Sequence, residues 1–482
     1  MNDWVDAEQH VERAHEAYEQ GRWDVAESEL RHALSLNPYQ AEWHFNLGLT
    51  LDAAGRHAEA ARAFVDAHEL RPEDGQTALL AGVNLVRSDR AKEALPWLEL
   101  AAEREPDSTA PYVHRIDAYS DLGDHEQAEL MFYLGQQINP EDGELYAAMG
   151  ENLLRREEYE RAVWCLREAI RLAPDLPRIQ ARLAEAYAKT GRQERARQLY
   201  MRELRQDPGD IDTLLDLGEL LVDMSRFEEA GEKFRRVLEL EPDNQDAHAA
   251  LGDLAIRRGQ IDEAIVQYDV VLRLDKGFPE ARRRLADLLL QRGPGDDLDR
   301  ARELLREELA EEHAEPEKFR PEDLDDLGQL LLDADMAHEA ARVFRRLVDT
   351  REQAGTPDHL AHHHLSVALF ETGDFEAGMA EAREALRLQP RFVPAMHNIA
   401  YAHLKQHQWM RARYWVRQAI RLAPDDASLR RLRFKLRLHS GIGLAAWIAR
   451  RTGAVLRPVA SVVVRRRRRR TKRAARQPAA TS

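Results

Sequence analysis

The side chains best suited to direct chemistry are the histidines of an HLAHHH run, where His359, His362 and His363 lie three and four residues apart. On a helix this spacing gathers imidazoles on one face, a geometry that can hold a transition metal. No acid or cysteine at ligand spacing completes the set, so the run reads as a polar, solvent-facing cluster. His403 and His407 are four apart and equally alone, and neither group has the HExxH pattern of a zinc hydrolase. The single cysteine, Cys165, sits in the apolar pattern VWCLREAI and reads as a packed thiol. A glycine-rich phosphate loop, a GxSxG elbow and an HxE with CxxC are all missing, and carboxylates scattered over helix surfaces are not an acid/base pair. These observations point to no catalytic residues, no metal and no cofactor.

Charge is the stronger chemical signal. Of the formal net charge of −16, residues 425–482 hold 17 Lys/Arg against 2 Asp/Glu, leaving 53 against 84 in residues 1–424. The body is therefore near −31 and the tail near +15. Arg465, Arg466, Arg467, Arg468, Arg469 and Arg470 are consecutive, and Lys472 and Arg473 follow. Such a cluster cannot bury itself, reads as disordered in isolation, and is suited to an anionic lipid surface at about 1 kcal/mol per basic residue. Nucleic-acid phosphate would satisfy it as well, and so would an acidic groove of the same chain. The preceding stretch, 442–464, is apolar but carries Arg450, Arg451, Arg457 and Pro458, which makes a poor membrane span and a candidate interfacial helix. At the other end, MNDWVDAEQH has acids where a signal peptide needs positive charge. A cytoplasmic, bacterial chain is expected, with possible attachment to a membrane through its C-terminus.

The elements that position these charges follow from a repeat. Prolines stand at 38, 72, 106, 140, 174, 208 and 242, each 34 residues from the last. Alanines at 60, 94, 128, 162, 196, 230 and 264 and glycines at 48, 82, 150, 218 and 252 keep the same register. Within residues 41–74, apolar positions recur at helical spacing in two runs separated by AAGRH, so each unit reads as a helical hairpin. Gly48 and Ala60 let the two helices approach, Gly55 ends the first, and Pro72 stops the second.

The small residue of the first helix, the Ala and aromatic of the second (Ala60 and Phe64, Ala128 and Phe132, Ala230 and Phe234) and the closing proline resemble the tetratricopeptide-repeat family. The resemblance covers about nine-tenths of the chain. It implies an all-α solenoid, a right-handed superhelix of about twelve 34-residue helix-turn-helix units over residues 1–426. A capping helix and an amphipathic helix over 427–464 and a basic tail over 465–482 would follow. The period breaks between Lys276 and Pro390, with longer loops expected near 293–297, 310–321 and 351–357 and a bend or sub-domain boundary near 293–321.

The resemblance also implies that the second, fifth, ninth, twelfth and thirteenth positions of each first helix face a concave groove. In the first three units those positions include Val11, Tyr18, Phe45, Leu49, Leu79, Val83 and Val86, an apolar strip. From the fifth unit to the tenth they include Glu144, Glu151, Glu185, Asp212, Glu219, Asp223, Asp246, Asp253, Glu280, Asp287, Glu322, Asp325 and Asp333. Arg155, Arg178, Lys189, Arg257 and Arg283 interrupt them. The carboxylate clamp of chaperone-binding relatives retains only Asn46, and the asparagine ladder of sugar-transferase relatives only Asn46 and Asn398. The expectation is a non-catalytic interaction scaffold whose acidic groove takes basic or amphipathic protein segments, with no small-molecule substrate, while the tail localises the complex. The alternative is a nucleic-acid-associated regulator that uses the Arg-rich tail.

Overall fold

The computed structural model describes residues 2–278, 280–293 and 295–437, with side chains from residue 6 onward. The described residues are helical, with no strand among them. The chain divides into two compact bodies, Met1–Gly259 and Gln260–Ser482.

The first body contains α1 (Asn2–Glu19), α2 (Trp23–Leu36), α3 (Ala41–Ala53), α4 (His57–Leu70), α5 (Gly75–Arg87), α6 (Ala91–Arg104), α7 (Ala110–Asp121) and α8 (His125–Ile138). It continues through α9 (Gly143–Arg155), α10 (Tyr159–Leu172), α11 (Ile179–Lys189), α12 (Gln193–Gln206), α13 (Ile211–Asp223), α14 (Phe227–Leu240) and α15 (Gln245–Arg257). Each helix packs mainly on its neighbours in sequence, and first helices also meet the next first helix, as α7 meets α9 and α13 meets α15. This is solenoid topology, in which local burial replaces a single central core.

Local chemistry sets the start of four hairpins and the turn inside each. Asp74, Asp142, Asp210 and Asn244 each stand two residues after a period-setting proline. Their side chains accept hydrogen bonds from the N–H groups of Thr77, Leu145, Thr213 and Ala247, capping α5, α9, α13 and α15. The turn inside each hairpin needs one residue in the left-handed region. Gly21, Gly55, Gly123, Gly191 and Gly259 supply it at no steric cost, whereas Asp89, Glu157 and Ser225 adopt it at φ 59°, 60° and 59°.

The two helices of a hairpin touch through glycine. A Cβ at Gly48 would fall 2.7 Å from the Phe64 ring, and at Gly82 2.6 Å from Leu98, with Gly218 against Phe234 closer still. Phe64, Leu98 and Phe234 are each at most 1 % exposed.

The second body contains α16 (Ile261–Leu274), α17 (Ala281–Arg292), α18 (Asp296–Ala314), a 3₁₀ turn at Pro316–Lys318, α19 (Pro321–Asp333), α20 (Ala337–Gln353) and α21 (His359–Glu371). It ends with α22 (Phe375–Leu388), α23 (Val393–Lys405), α24 (Trp409–Leu422) and a helical stretch over 427–437. Gly328 meets Phe344 as Gly218 meets Phe234. Pro279, the expected start of the ninth unit, and Pro294 lie outside the described residues.

The period break differs from expectation. Of the longer loops expected at 310–321 and 351–357 only part is loop: α18 runs through Ala314 and α20 through Gln353, at 19 and 17 residues, and 315–320, with its 3₁₀ turn, and 354–358 are the connections. The added turns of α18 bury carboxylates that arginines neutralise. Glu308 receives Arg282 at 3.0 Å and Arg283 at 3.3 Å, and Glu312 receives Arg346. A paired buried carboxylate permits a helix to continue where an unpaired one would not. Gly293 and Gly295, at φ 130° and 129°, form the sharp entry to α18.

Two opposite stability changes follow. Gly218→Val, with no room beside Phe234, is expected to lower stability by about 2–3 kcal/mol. Glu157→Gly, which removes a left-handed non-glycine residue, is expected to raise it by up to about 1 kcal/mol. Urea unfolding of the two variants beside wild type checks both signs.

Candidate partner-binding groove

In the first body the inward faces of α13 and α15 and the start of α11 enclose a cavity of about 610 Å³. Its lining carries six carboxylates, Asp212, Asp216, Glu219, Asp223, Asp246 and Asp253, against Arg178 and Arg257. Leu215, Val222, Phe234, Ala249, Ala250 and Leu254 form the apolar floor. The spacing has a simple origin. Asp212 and Asp246 are one repeat apart, as are Glu219 and Asp253, and seven residues separate the acids within each helix, so the carboxylates stand in two stacked rows on adjacent helices.

Arg178 is the main internal cation. It holds a left-handed backbone at φ 55° just before α11 and donates to Asp212 at 2.6 Å, with Asp210 at 3.5 Å and Asp216 at 3.7 Å. Among the described residues, Glu219, Asp223 and Asp246 have no cation at ion-pair distance. A smaller cavity of about 300 Å³ shares Arg178 and Asp216 and adds Glu151, Glu185, Arg155 and Arg182. There Arg182 reaches Glu151 at 3.0 Å, so charge is nearly balanced.

Crowding shows in the acidities. Burial pushes the Asp216 carboxyl up to about 6, with Glu185, Glu219 and Asp212 adding to the effect and Arg178 opposing it. Glu219 is raised by burial and then by Asp223, and Glu185 is raised chiefly by burial.

The residues named from sequence are placed unequally. Asp212, Glu219, Asp223, Asp246 and Asp253 share the large cavity, and Glu151 and Glu185 the smaller one. Val11 and Leu49 meet in an apolar pocket of about 150 Å³ with Tyr18, Leu30 and Asn46. Phe45 packs edge-on against Phe64 at 5.6 Å, Leu79 is half-buried against the α5/α6 core, and Val83 is only 7 % exposed. In the second body Asp287 lines a cavity of about 320 Å³ with Glu280, Asp326, Asp333, Arg283 and Arg284.

Asp216 was missed. It occupies the sixth position of its unit, outside the five positions that the repeat turns toward the groove, and Asp326 repeats it in the second body, where burial also raises its carboxyl. Arg465–Arg470, Lys472, Arg473 and the 442–464 stretch lie outside the described residues.

The remaining reactive side chains are packed. Cys165 is 4 % exposed and burial pushes its thiol up to about 12. His362 departs from the solvent-facing reading: it is 3 % exposed and bonded to Glu381 at 2.8 Å, whereas His359 and His363 turn their edges to Phe392. His362 is thus buried against Glu381 while His359 and His363 meet Phe392. Among the described residues no group of three or more His, Cys, Asp and Glu side chains could hold a metal, and no helix is long and apolar enough to cross a membrane.

Helical hairpins of 34-residue period with glycine-to-aromatic contacts define a class of interaction solenoids. The tetratricopeptide-repeat profile matches residues 11–75, 147–211, 215–277 and 326–391, and the chain belongs to that family. Proteins of this family generally mediate protein–protein interactions. The TPR repeat-containing protein YpiA of Bacillus subtilis is 26 % identical over 203 residues, 40 % of this chain and 46 % of that protein. The aligned part thus spans less than half of that relative. Among solved structures, Pseudomonas aeruginosa PilF is 18 % identical, with 45 % of this chain and 99 % of that one covered at a TM-score of 0.39. Yeast Tom70 is 16 % identical, with 92 % and 98 % covered at a TM-score of 0.35.

The raised Asp216 pKa has a definite consequence. Its native value of about 6 lies above the unfolded value, so between about pH 4 and 6 the native state binds more protons and stability falls as pH rises. Asp216→Asn is expected to raise the melting temperature at pH 7.5 and to give little or no gain at pH 4, which paired thermal melts would measure.

Proposed function

We propose that this chain is a non-catalytic scaffold whose first body captures a basic segment of another protein in the acidic cavity of α13 and α15. The observation that carries the reading is the concave wall of six carboxylates against two arginines, three of the acids lacking an ion-pair partner among the described residues. Carboxylates held together on a low-dielectric wall focus negative potential, and an arginine or lysine entering between them relieves repulsion that the fold itself cannot. Leu215, Val222 and Ala250 beneath them would cover the methylene stems of such side chains, which bury apolar length while the charge stays with the acids. The pocket of Val11 and Leu49 would accept an apolar side chain of an amphipathic segment. The basic tail, Arg465–Arg470 with Lys472 and Arg473, would hold the complex at an anionic surface, from within a cytoplasmic compartment.

A fluorescent arginine-rich peptide titrated into the full-length protein tests the groove. Glu219→Gln with Asp246→Asn is expected to weaken binding roughly tenfold, and added salt to weaken it further. Affinity should also rise from pH 5 to pH 7 as Asp216 ionises, a rise that Asp216→Asn removes. Equal binding of the peptide by wild type and the double variant would overturn the reading. Peptide binding that appears only when the tail arginines are replaced would identify the tail as the resident occupant of the groove.

A further inference from the structure

The second body ends on a surface opposite in character to the acidic cavity. Residues 409–437 hold nine Lys/Arg against two Asp/Glu, although residues 1–424 as a whole are acidic. Ala412, Val416 and Ala419 of α24 face inward, and Leu429, Leu432 and Leu436 of the 427–437 helix pack onto them. The outward faces are left to the cations. Arg413, Arg417, Arg421, Arg431 and Arg433 are exposed, and among the described residues none has a carboxylate at ion-pair distance.

Large apolar side chains protrude among these charges. Met410 is 79 % exposed, Tyr414 56 % and Phe434 65 %. On helices whose inner faces are already satisfied, these side chains contribute nothing to the core. Beside Met410 and Tyr414 lies a cavity of about 340 Å³ lined also by Arg383, Arg411, His403 and Trp415. Burial holds His403 toward its neutral form, so the two arginines carry the charge of the cavity, and no carboxylate lines it.

We propose that α24 and the 427–437 helix form a docking surface for an anionic phospholipid bilayer, with Arg383 and Arg411 receiving a headgroup phosphate and Met410, Tyr414 and Phe434 entering the interface. Unpaired cations around exposed apolar and aromatic side chains match a surface that is anionic outside and apolar beneath. Nucleic acid is the weaker match, because Met410 gains nothing from phosphate. The sequence continues from this face into the apolar, arginine-bearing 442–464 stretch and the basic run, so the same chemistry extends along the chain. This inference deepens the anionic-surface part of the reading above and assigns it to folded residues as well as to the tail.

The test uses the full-length chain with vesicles of phosphatidylcholine alone or containing phosphatidylglycerol. Three forms are compared with wild type: Arg413→Gln, Arg417→Gln and Arg421→Gln together; Arg383→Gln with Arg411→Gln; and the six tail arginines replaced by Gln. The first form is expected to bind anionic vesicles roughly a hundredfold more weakly. The second should bind anionic vesicles roughly thirtyfold more weakly, and the tail variant should retain measurable binding. Because Cys165 is buried, Met410→Cys can be labelled selectively with an environment-sensitive dye, whose emission should shift blue on anionic vesicles. Loss of all binding in the tail variant, with no loss in the other two, would overturn the docking surface and leave the tail reading intact. An unshifted dye, or single-stranded RNA competing off the whole protein, would overturn it as well. Unchanged arginine-peptide capture in all three forms would show that the groove reading stands apart from this one.

Discussion

The structure depends first on the close approach of a side-chain-free backbone position to a large apolar side chain. Gly48 against Phe64, Gly82 against Leu98, Gly218 against Phe234 and Gly328 against Phe344 bring the two helices of a hairpin together. Because the larger partner is almost fully buried in each case, the contact fixes both the spacing of the pair and its rotation about the helix axes. That rotation decides which residues of the first helix face inward. A carboxylate at the second or ninth position therefore meets the equivalent carboxylate one repeat later, and the repeat turns a one-residue choice into a wall of charge.

Charge in this protein is managed differently in each place where it accumulates. At helix starts, Asp74, Asp142 and Asp210 lie against free N–H groups and the positive end of the helix dipole, so their charge supports the fold. In the added turns of α18, Glu308 and Glu312 are buried with arginines supplied by α17 and α20. In the concave wall of α13 and α15 the acids outnumber their cations, and burial, with the neighbouring carboxylates adding to it, raises the pKa of Asp216 and Glu219.

At the end of the second body the balance is reversed, with exposed cations around Met410, Tyr414 and Phe434. The 427–437 helix covers the inner side of α24 with three leucines and presents arginines outward.

The repeat and most of its local consequences are legible in the order of residues alone. The 34-residue ladders of proline, alanine and glycine specify hairpins because helix ends, turns and close contacts are short-range demands that particular residue types meet. The same periodicity carried Asp212, Glu219, Asp223, Asp246 and Asp253 into one cavity. Only the tertiary structure decided the rest. It put Asp216 among these acids, drew Arg178 across from the preceding unit, buried Val83 and turned His362 away from solvent onto Glu381. It also carried α18 through Ala314, where Arg282, Arg283 and Arg346 neutralise its buried glutamates. The reason is physical: a period fixes which face a residue is on, whereas burial and ion pairing depend on side chains that approach from other helices, about thirty residues away in sequence.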